Sequence, residues 1–278
     1  MTEDNDELKE QMAKFAAARI TSPVELQPAT VGKVVAVHDG TDQDATVDAL
    51  AQALAARVQQ EVHTVAVAAK SDNVLSELLA AAGSGDVLVV PSPFGHDYQQ
   101  DGAQSLSTTV DLLLARSEAA ICVARAPIED PACTVTHPVV GLQIDRHRKV
   151  AATALALAFA RGGGEILLLS TVDPHNRLRD EEVLARNLDP RDLSPEVLSG
   201  LASARAAALT AELQRHASEW DIEPRVRFAL GDTVGLLLEE NEQRHGLLVV
   251  GRDRDARRHE AQEARRLVLA SSAPVLLV

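Results

Sequence analysis

Aromatic residues are scarce in this 278-residue chain and make up only 2 % of it, although 46 % of the residues are hydrophobic. A core therefore has to be built from alanine, valine and leucine, a composition that suits buried parallel strands flanked by helices. Charged residues make up 24 %, which is typical of a globular chain and not of a disordered one. The length is enough for one large domain or two ordinary ones.

Basic residues are also few, with 27 Lys and Arg against 41 Asp and Glu, which gives a formal net charge of −14. This deficit argues against a nucleic-acid partner, because affinity for nucleic acids rests on Lys and Arg that neutralise phosphates. A small anion held by backbone N–H groups stays open as a ligand.

Long apolar runs are missing, and no segment approaches the ~18 uninterrupted apolar residues of a membrane span. The two cysteines, Cys122 and Cys133, form no CxxC motif, and Cys122 lies in an apolar run typical of a core strand. The acidic residues 2–6 differ from the basic start of a signal peptide. We therefore expect a cytoplasmic protein with no membrane segment and no need of an oxidising compartment.

Short apolar runs alternate with helical patterns from residue 31 onward. The first part of the chain has strand-like runs at 34–37, 63–67, 87–90 and 120–123. The second part has them at 139–144, 166–169, 225–228, 247–250 and 275–278. Strands that alternate with helices predict parallel sheets with helices on both faces.

Two pairs of landmarks indicate that the second part repeats the first. Asp39 and Asp145 each follow a first strand and lie 106 residues apart, whereas Val90 and Val250 each end a later strand and lie 160 apart. The second copy is therefore longer in its middle, and we expect the first copy to lack one helix and one strand. The predicted domains are 31–128, which is abbreviated, and 135–278, with an insertion at about 174–222.

The remaining segments are interpreted as an N-terminal extension and a connection. In residues 1–30, apolar residues at helical spacing predict a helix over about 6–19, followed by a linker with Pro23 and Pro28. This helix is either packed on the body or free to dock on a partner. Residues 128–136, which include Asp130 and Pro131, are interpreted as the linker between the two domains.

Sequence motifs of both copies follow a recognisable order. In the second copy they are residues 138–174, with a strand, an Asp turn, a helix and a second strand, then 225–255, with Gly-Asp at a helix start and Val-Val-Gly at a strand end, then 267–278. In the first copy the matching segments are 33–50, 71–91 and 112–125. This order resembles the universal stress protein family in its tandem form. The resemblance implies two doubly wound domains of the adenine nucleotide α-hydrolase-like type.

The resemblance also implies where a nucleotide would bind. Members of the family that bind ATP carry an Asp after the first strand and a loop Gly-x2-Gly-x9-Gly-Ser/Thr after the fourth. Glycines let the backbone approach the phosphates, and the last pair starts a helix whose N–H groups meet them. The residues that match these positions are the candidate ligand-binding residues Asp39, Gly40, Ser107, Thr108, Asp145 and Gly251. For the Asp residues a turn or cap, and for Ser107 and Thr108 a helix cap, is the alternative interpretation.

Most of the glycines of that loop are missing. Pro91 and Phe94 stand at the first two positions in the first copy, and Arg254 stands at the second position in the second copy, where Ala261-Gln262 replace the Gly-Ser/Thr pair. The arginines of this second loop either bind an anion or form a solvated helix face with i,i+4 Glu–Arg pairs. They are Arg252, Arg254, Arg257 and Arg258. Both nucleotide sites are therefore expected to be degenerate.

The resemblance leads to one expectation of function and one alternative. We expect a non-enzymatic, cytoplasmic, stress-associated or regulatory protein, with no catalytic residue, no metal site and no certain cofactor. The alternative is a module that binds ATP, AMP or another small anion in the first domain. The family commonly dimerises through last strands, so residues 120–123 and 275–278 would pair within this chain as an internal pseudo-dimer. A homo-oligomer or a protein partner stays open.

Overall fold

Nine strands and eight helices form the part of the chain that the computed structural model describes. That part consists of residues 24–68, 73–96, 107–125, 127–142, 146–173, 194–252 and 258–278. The strands are β1 (Val34–His38), β2 (Val62–Ala66), β3 (Val87–Pro91), β4 (Ala120–Ala124), β5 (Val139–Leu142), β6 (Gly164–Val172), β7 (Ile222–Leu230), β8 (Leu248–Val250) and β9 (Val275–Leu277). The helices are α1 (Asp44–Val58), α2 (Val74–Ala81), α3 (Thr108–Arg116), α4 (Pro131–Thr136), α5 (Arg146–Ala160), α6 (Pro195–Trp220), α7 (Thr233–Arg244) and α8 (Arg258–Ala270).

Polar residues just before the helices explain where several of them begin. Asp130, Ser194 and Asp232 are N-caps, and each side chain accepts a hydrogen bond from the backbone N–H three residues further on. Pro131 and Pro195 follow at the first helical turn, where the missing N–H of proline has no partner to lose. The local sequence therefore determines where α4, α6 and α7 begin.

All nine strands belong to one sheet, with the order β2-β1-β3-β4-β9-β8-β5-β6-β7. Every neighbouring pair is parallel except β4 and β9, which pair antiparallel. The second half supplies five strands and the first half four, since the described part of the first half has no counterpart of β7. The predicted fold class, two tandem doubly wound α/β units of which the first is abbreviated, is confirmed.

The last strands of the two halves form the seam of the sheet. Ile121 lies opposite Leu277, Cys122 opposite Leu276 and Val123 opposite Val275. Because this pair is antiparallel while each half is internally parallel, an approximate two-fold axis relates the halves. Neither β4 nor β9 is left with a free edge.

The core lies on both faces of the sheet and runs across the seam. Along β1, Val34 and Ala36 join the apolar cluster on one face, and Val35 and Val37 join the cluster on the other, as the two-residue period of a strand requires. The first cluster packs α1, α5 and α6 against the sheet and contains Leu50, Phe159 and Leu209. The second packs α2, α3, α7 and α8 and contains Leu78, Leu113, Leu237 and Leu267.

The two segments interpreted as linkers have structure of their own. Val24 and Leu26 are buried in the first cluster, and the N–H of Ala29 donates to the carbonyl of Ala154 in α5 (2.9 Å). The first half is thereby tied to the second before β1 begins. The connection at 128–136 is not extended either, because it contains α4, which Asp130 caps. The predicted helix at 6–19 lies outside the described residues.

The segment predicted as an insertion contains the helix that crosses from β6 to β7. Residues 174–193 lie outside the described part of the chain, and α6 fills most of the remainder. Ser170 in β6 donates its hydroxyl to the carbonyl of Ala202 in α6 (2.7 Å), so the helix packs directly on the strand. Of the helices that the structure describes, none has the length and apolar composition needed to cross a membrane.

Candidate functional site

Asp39 follows β1 at the carboxyl edge of the sheet, where open α/β sheets bind ligands. Its Oδ1 accepts hydrogen bonds from the N–H of Thr41 (3.1 Å) and from the hydroxyl of Thr41 (2.6 Å). Its Oδ2 accepts a hydrogen bond from the N–H of Gly95 (2.6 Å), in the loop after β3. Both carboxylate oxygens are therefore engaged by the chain itself, and the side chain is buried. The turn interpretation of Asp39 is the one that its contacts support.

Gly40 is held in the turn that leads from β1 to α1. Its φ of +81° lies in the left-handed region that glycine adopts without strain, and a Cβ built on it would meet no atom of the described residues within 4 Å. Its N–H and that of Asp39 donate to the carboxylate of Asp44, at 3.2 and 3.1 Å. The turn therefore requires Gly40, and no described residue fills the space beside it.

Gln43 is a residue that the sequence did not single out, and it holds the loop after β3. Its side chain is buried, and its Nε2 donates to the carbonyls of Pro93 (3.1 Å) and His96 (3.2 Å). Its Oε1 accepts a hydrogen bond from the N–H of Ser92 (3.1 Å). Gln43 and Asp39 together attach residues 92–96 to the start of α1.

The loop held in this way is the segment that the sequence resemblance matches with the start of the family's phosphate loop. Phe94, at the position of a family glycine, is buried in the apolar cluster that also contains Val35 and Val37. The hydroxyl of Ser92 is buried and has no hydrogen-bond partner among the described residues. An aromatic ring in the core replaces the close backbone approach that phosphate binding requires.

Ser107 and Thr108 begin α3 at the same edge of the sheet. Ser107 is the N-cap of that helix, and its hydroxyl accepts a hydrogen bond from the N–H of Val110 (3.5 Å). Thr108, in the first turn, is exposed. The capping interpretation therefore holds for Ser107, while the first turn of α3 is accessible from solvent at Thr108.

In the second half, Gly251 is needed for packing. A Cβ on Gly251 would lie 2.7 Å from Cβ of Arg148 and 3.2 Å from its carbonyl oxygen, so α5 approaches the end of β8 too closely for any side chain. The space that a phosphate would need beside a glycine is filled by the backbone of α5. Asp145, the matching carboxylate, lies outside the described residues.

Two buried cations lie at the same edge of the second half. Lys149 of α5 donates from Nζ to the carbonyl of Arg205 (3.0 Å), and Arg205 of α6 donates from Nη1 to the carbonyl of Thr171 (2.6 Å) at the end of β6. The hydroxyls of Thr171 and Thr233 share a hydrogen bond of 2.7 Å. Lys149 therefore links α5 to α6, and Arg205 and Thr233 link α6 and α7 to the end of β6.

Arg252 has a role that neither interpretation of the arginine-rich loop anticipated. Its Nη1 donates to the carbonyls of Leu113 and Leu114 (3.2 and 2.8 Å), and its Nη2 donates to those of Ser117 and Ala119 (2.8 and 2.7 Å). A guanidinium of the second half thus caps the carboxyl end of α3 in the first half, where the helix dipole favours positive charge. The expectation of an anion site or a solvated face is wrong for Arg252. The structure does not describe Arg254, Arg257 or the side chain of Arg258.

A second arginine crosses between the halves on the other face of the sheet. Arg57, in the last turn of α1, donates from Nε to the carbonyl of Phe159 (2.8 Å) and from Nη2 to those of Arg161 and Gly162, at the end of α5. The candidate residues therefore belong to a body in which each half closes helix ends of the other.

A cleft of about 400 Å³ lies at the opposite, amino edge of the second half. Its lining includes His137, Glu165, Asp221 and Glu223. Carboxylates repel phosphates, so this cleft does not suit the anion that the sequence led us to consider. It is also remote from the carboxyl edge where the candidate residues lie.

Several of these contacts have no local sequence signal. Gln43, Arg57, Arg205 and Arg252 look like ordinary surface residues of helices and loops, and each finds its partner more than thirty residues away in the chain. Only the capping residues, such as Ser107, could be recognised from spacing alone.

Comparison with known proteins finds similarity in structure but not in sequence. No model of a known protein family matches the sequence, and no curated protein matches it either. Among solved structures, one from Pseudomonas aeruginosa UCBPP-PA14 that is assigned to the universal stress proteins superposes with a TM-score of 0.56 at 11 % identity, covering 89 % of this chain and 93 % of that one. A universal stress protein from Archaeoglobus fulgidus DSM 4304 superposes with a TM-score of 0.54 at 12 % identity, covering 88 % and 95 %.

These two similarities show which fold the chain has. Both structures match this chain over nearly their whole length, so the two halves together, and not one half alone, are what is similar. The chain has the universal stress protein fold, and the resemblance seen in the sequence is confirmed at that level. At this identity the likeness carries no ligand and no activity with it.

Proposed function

We propose that this chain is a non-enzymatic, cytoplasmic, stress-associated regulatory protein whose nucleotide sites have been converted into structural contacts. The carboxylate of Asp39 is the observation that carries the proposal, because hydrogen bonds from Thr41 and Gly95 already engage both of its oxygens. Gly251 supports it in the second half, since the backbone of α5 lies against it. A protein with such sites acts through its surfaces and the partners that they contact.

The seam supports the idea that the chain is its own pseudo-dimer. β4 and β9 pair antiparallel, so the strand edge that a single-domain relative would offer to a second chain is already occupied. Arg57 and Arg252 add hydrogen bonds between the halves on the two faces of the sheet. We therefore propose that the two halves are permanent partners within one chain.

The state of the cysteines supports a reducing compartment. Cys122 and Cys133 are both free, and burial raises the pKa of the Cys122 thiol far above its usual range. Cys133 is an exposed thiol, which an oxidising compartment would leave open to intermolecular disulfides.

A thermal shift experiment tests the proposal. The purified full chain is melted alone and with millimolar ATP, ADP, AMP or cyclic AMP, each with and without magnesium. The proposal predicts that no nucleotide raises the melting temperature, because a ligand that binds only the folded state must raise it. Incubation with labelled ATP should give no product above the buffer control. A nucleotide-dependent rise, or turnover of ATP, would contradict the proposal.

Binding of a small anion in the first half is the second candidate. Three features favour it. No described residue fills the space beside Gly40, the hydroxyl of Ser92 is buried without a described partner, and Thr108 is exposed in the first turn of α3. A rise in melting temperature that Thr108→Val abolishes would support this candidate. Thr109→Val, at the neighbouring position, is the matched control and should leave the rise intact.

A further inference from the structure

The two outer strands of the sheet differ in how their free edges are protected. In the described part of the chain, β7 is the outer strand of the second half and β2 that of the first. β7 carries Pro224 and is charged on one face, where Glu223, Arg225 and Arg227 form ion pairs. Arg225 also pairs with Glu165 of β6 at 3.1 Å, and Arg227 pairs with Glu240 of α7. Prolines and charges are the devices by which native proteins prevent edge-to-edge pairing.

β2 has none of these devices. Its five residues, Val62 to Ala66, include no proline and no Asp, Glu, Lys or Arg, and His63, Thr64 and Ala66 are exposed. In the second half, β7 pairs with the equivalent strand β6 over nine residues. The first half has no such strand among the residues that the structure describes, so β2 is an unprotected edge at the place where its counterpart has a neighbour.

The direction of the backbone groups on β2 follows from one hydrogen bond. The N–H of Val67 donates to the carbonyl of His38 in β1 (2.9 Å), so the amide of Val67 points toward β1. Because successive residues of a strand alternate, those of Val65 and His63 point the same way. The N–H and C=O groups of Val62, Thr64 and Ala66 therefore point outward, away from β1.

We propose that β2 pairs antiparallel with β2 of a second copy of this chain, which makes one continuous sheet across the two molecules. With the two-fold axis at Thr64, Thr64 lies opposite Thr64 of the second copy and Val62 opposite its Ala66. All three outward residues then form hydrogen-bonded pairs, which gives six N–H···O bonds, and the central Thr–Thr pair is a favourable one. An isologous contact of this kind needs one strand that is complementary to itself.

Charge favours a second copy at this edge over other parts of the surface. The whole chain carries a net charge of −14, so two copies repel each other wherever their acidic surfaces meet. β2 itself carries no carboxylate, and Glu61, the acidic residue directly before it in the chain, would lie about 20 Å from Glu61 of the second copy. This separation exceeds the Debye length of ~8 Å at physiological salt.

Sedimentation of the full chain, with variants of the strand edge, tests the proposal. The wild-type protein should sediment at twice the chain mass of 29.6 kDa. Thr64→Pro removes an outward N–H in each copy without touching the β1–β2 bonds, and should raise the dimer dissociation constant by ~30-fold or more. Thr64→Lys, which keeps the N–H but places two like charges at the two-fold axis, should do the same. Circular dichroism and melting show whether each variant is folded.

A matched proline at the other edge is the control. Gly231 donates to Val172 of β6, so the amide of Phe228 points outward from β7, and its side chain is 46 % exposed. Phe228→Pro should leave the dimer intact. A wild-type chain that sediments as a single copy at tens of micromolar would overturn the proposal, as would a dimer that both Thr64 variants retain. Uptake of an extended peptide at β2 by a monomeric chain would also overturn it.

Discussion

Single polar side chains decide how much of the carboxyl edge of the first half is open to a ligand. A carboxylate has about four acceptor positions, and three of those of Asp39 are used by Thr41 and Gly95. A nucleotide that binds Asp39 would have to replace these hydrogen bonds. Otherwise it would have to form a further hydrogen bond to a carboxylate that is already buried. Asp39 follows β1 directly, as the sequence indicates, but its partner Gly95 could not be predicted, because that contact depends on how the loop after β3 folds back.

Substitution of Gln43 measures how much the attachment of this loop contributes to the free energy of unfolding. Gln43→Ala removes two hydrogen bonds to backbone carbonyls, of which the one to Pro93 is buried, and one from the N–H of Ser92. We expect it to lower the free energy of unfolding by ~1–3 kcal/mol, the cost of leaving buried polar groups unpaired. Urea denaturation measures the change. Gln52→Ala, at an exposed position of the same helix, should stay within ~0.5 kcal/mol of the wild type. Equal effects of the two substitutions would refute the role of Gln43.

At the scale of elements, the strands and most helices could be predicted because their signals are local. Valine and leucine runs mark the strands, and capping residues such as Asp232 mark helix starts. The close approach of α5 to β8 could not be predicted, since it depends on Gly251 and Arg148, which lie about a hundred residues apart. Gly251, which matches a glycine of the phosphate loop in sequence, is needed because α5 packs against the end of β8.

Substitution of Gly251 tests whether this glycine is needed for packing. Gly251→Ala places a Cβ 2.7 Å from that of Arg148, so the helix has to shift, and we expect a loss of ~1–3 kcal/mol in the free energy of unfolding. Gly200→Ala in α6, where a Cβ would meet nothing within 4 Å, should instead stabilise the protein by ~0.5–1 kcal/mol. If Gly251→Ala were neutral or stabilising, the packing role of Gly251 would be wrong.

At the scale of the whole molecule, the two halves form one sheet and share both apolar clusters. The repeat could be recognised from the sequence because matching landmarks recur, and the abbreviated first half followed from their spacing. The contacts that join the halves give no local pattern, because they link distant residues. Those of Arg252 with the end of α3 and the residues after it span more than 130 positions.

Arg252 should therefore contribute to the stability of both halves at once. Arg252→Ala removes the hydrogen bonds from the guanidinium to four carbonyls at and just beyond the end of α3, and we expect a loss of ~1.5–3 kcal/mol in the free energy of unfolding. Arg252→Lys should restore only part of it, because an ammonium lacks the planar fork that reaches several carbonyls. Denaturation followed by circular dichroism measures both variants. A full rescue by lysine would contradict the geometry described for this contact.

The shared core also predicts that the chain unfolds as a unit. In calorimetry we expect one transition whose calorimetric and van't Hoff enthalpies agree, since neither half can lose the other without exposing both clusters. Two separate transitions would show that the seam between β4 and β9 is weaker than the halves that it joins.

The central claim is that the chain's own contacts have taken the place of a nucleotide at the carboxyl edge. Isothermal titration of MgATP into the full-length protein tests it most directly. We predict heats no larger than those of dilution up to millimolar nucleotide. A saturable isotherm of about one site per chain would contradict the account, if Asp39→Ala weakens it and substitution of the exposed Asp42 by Ala does not.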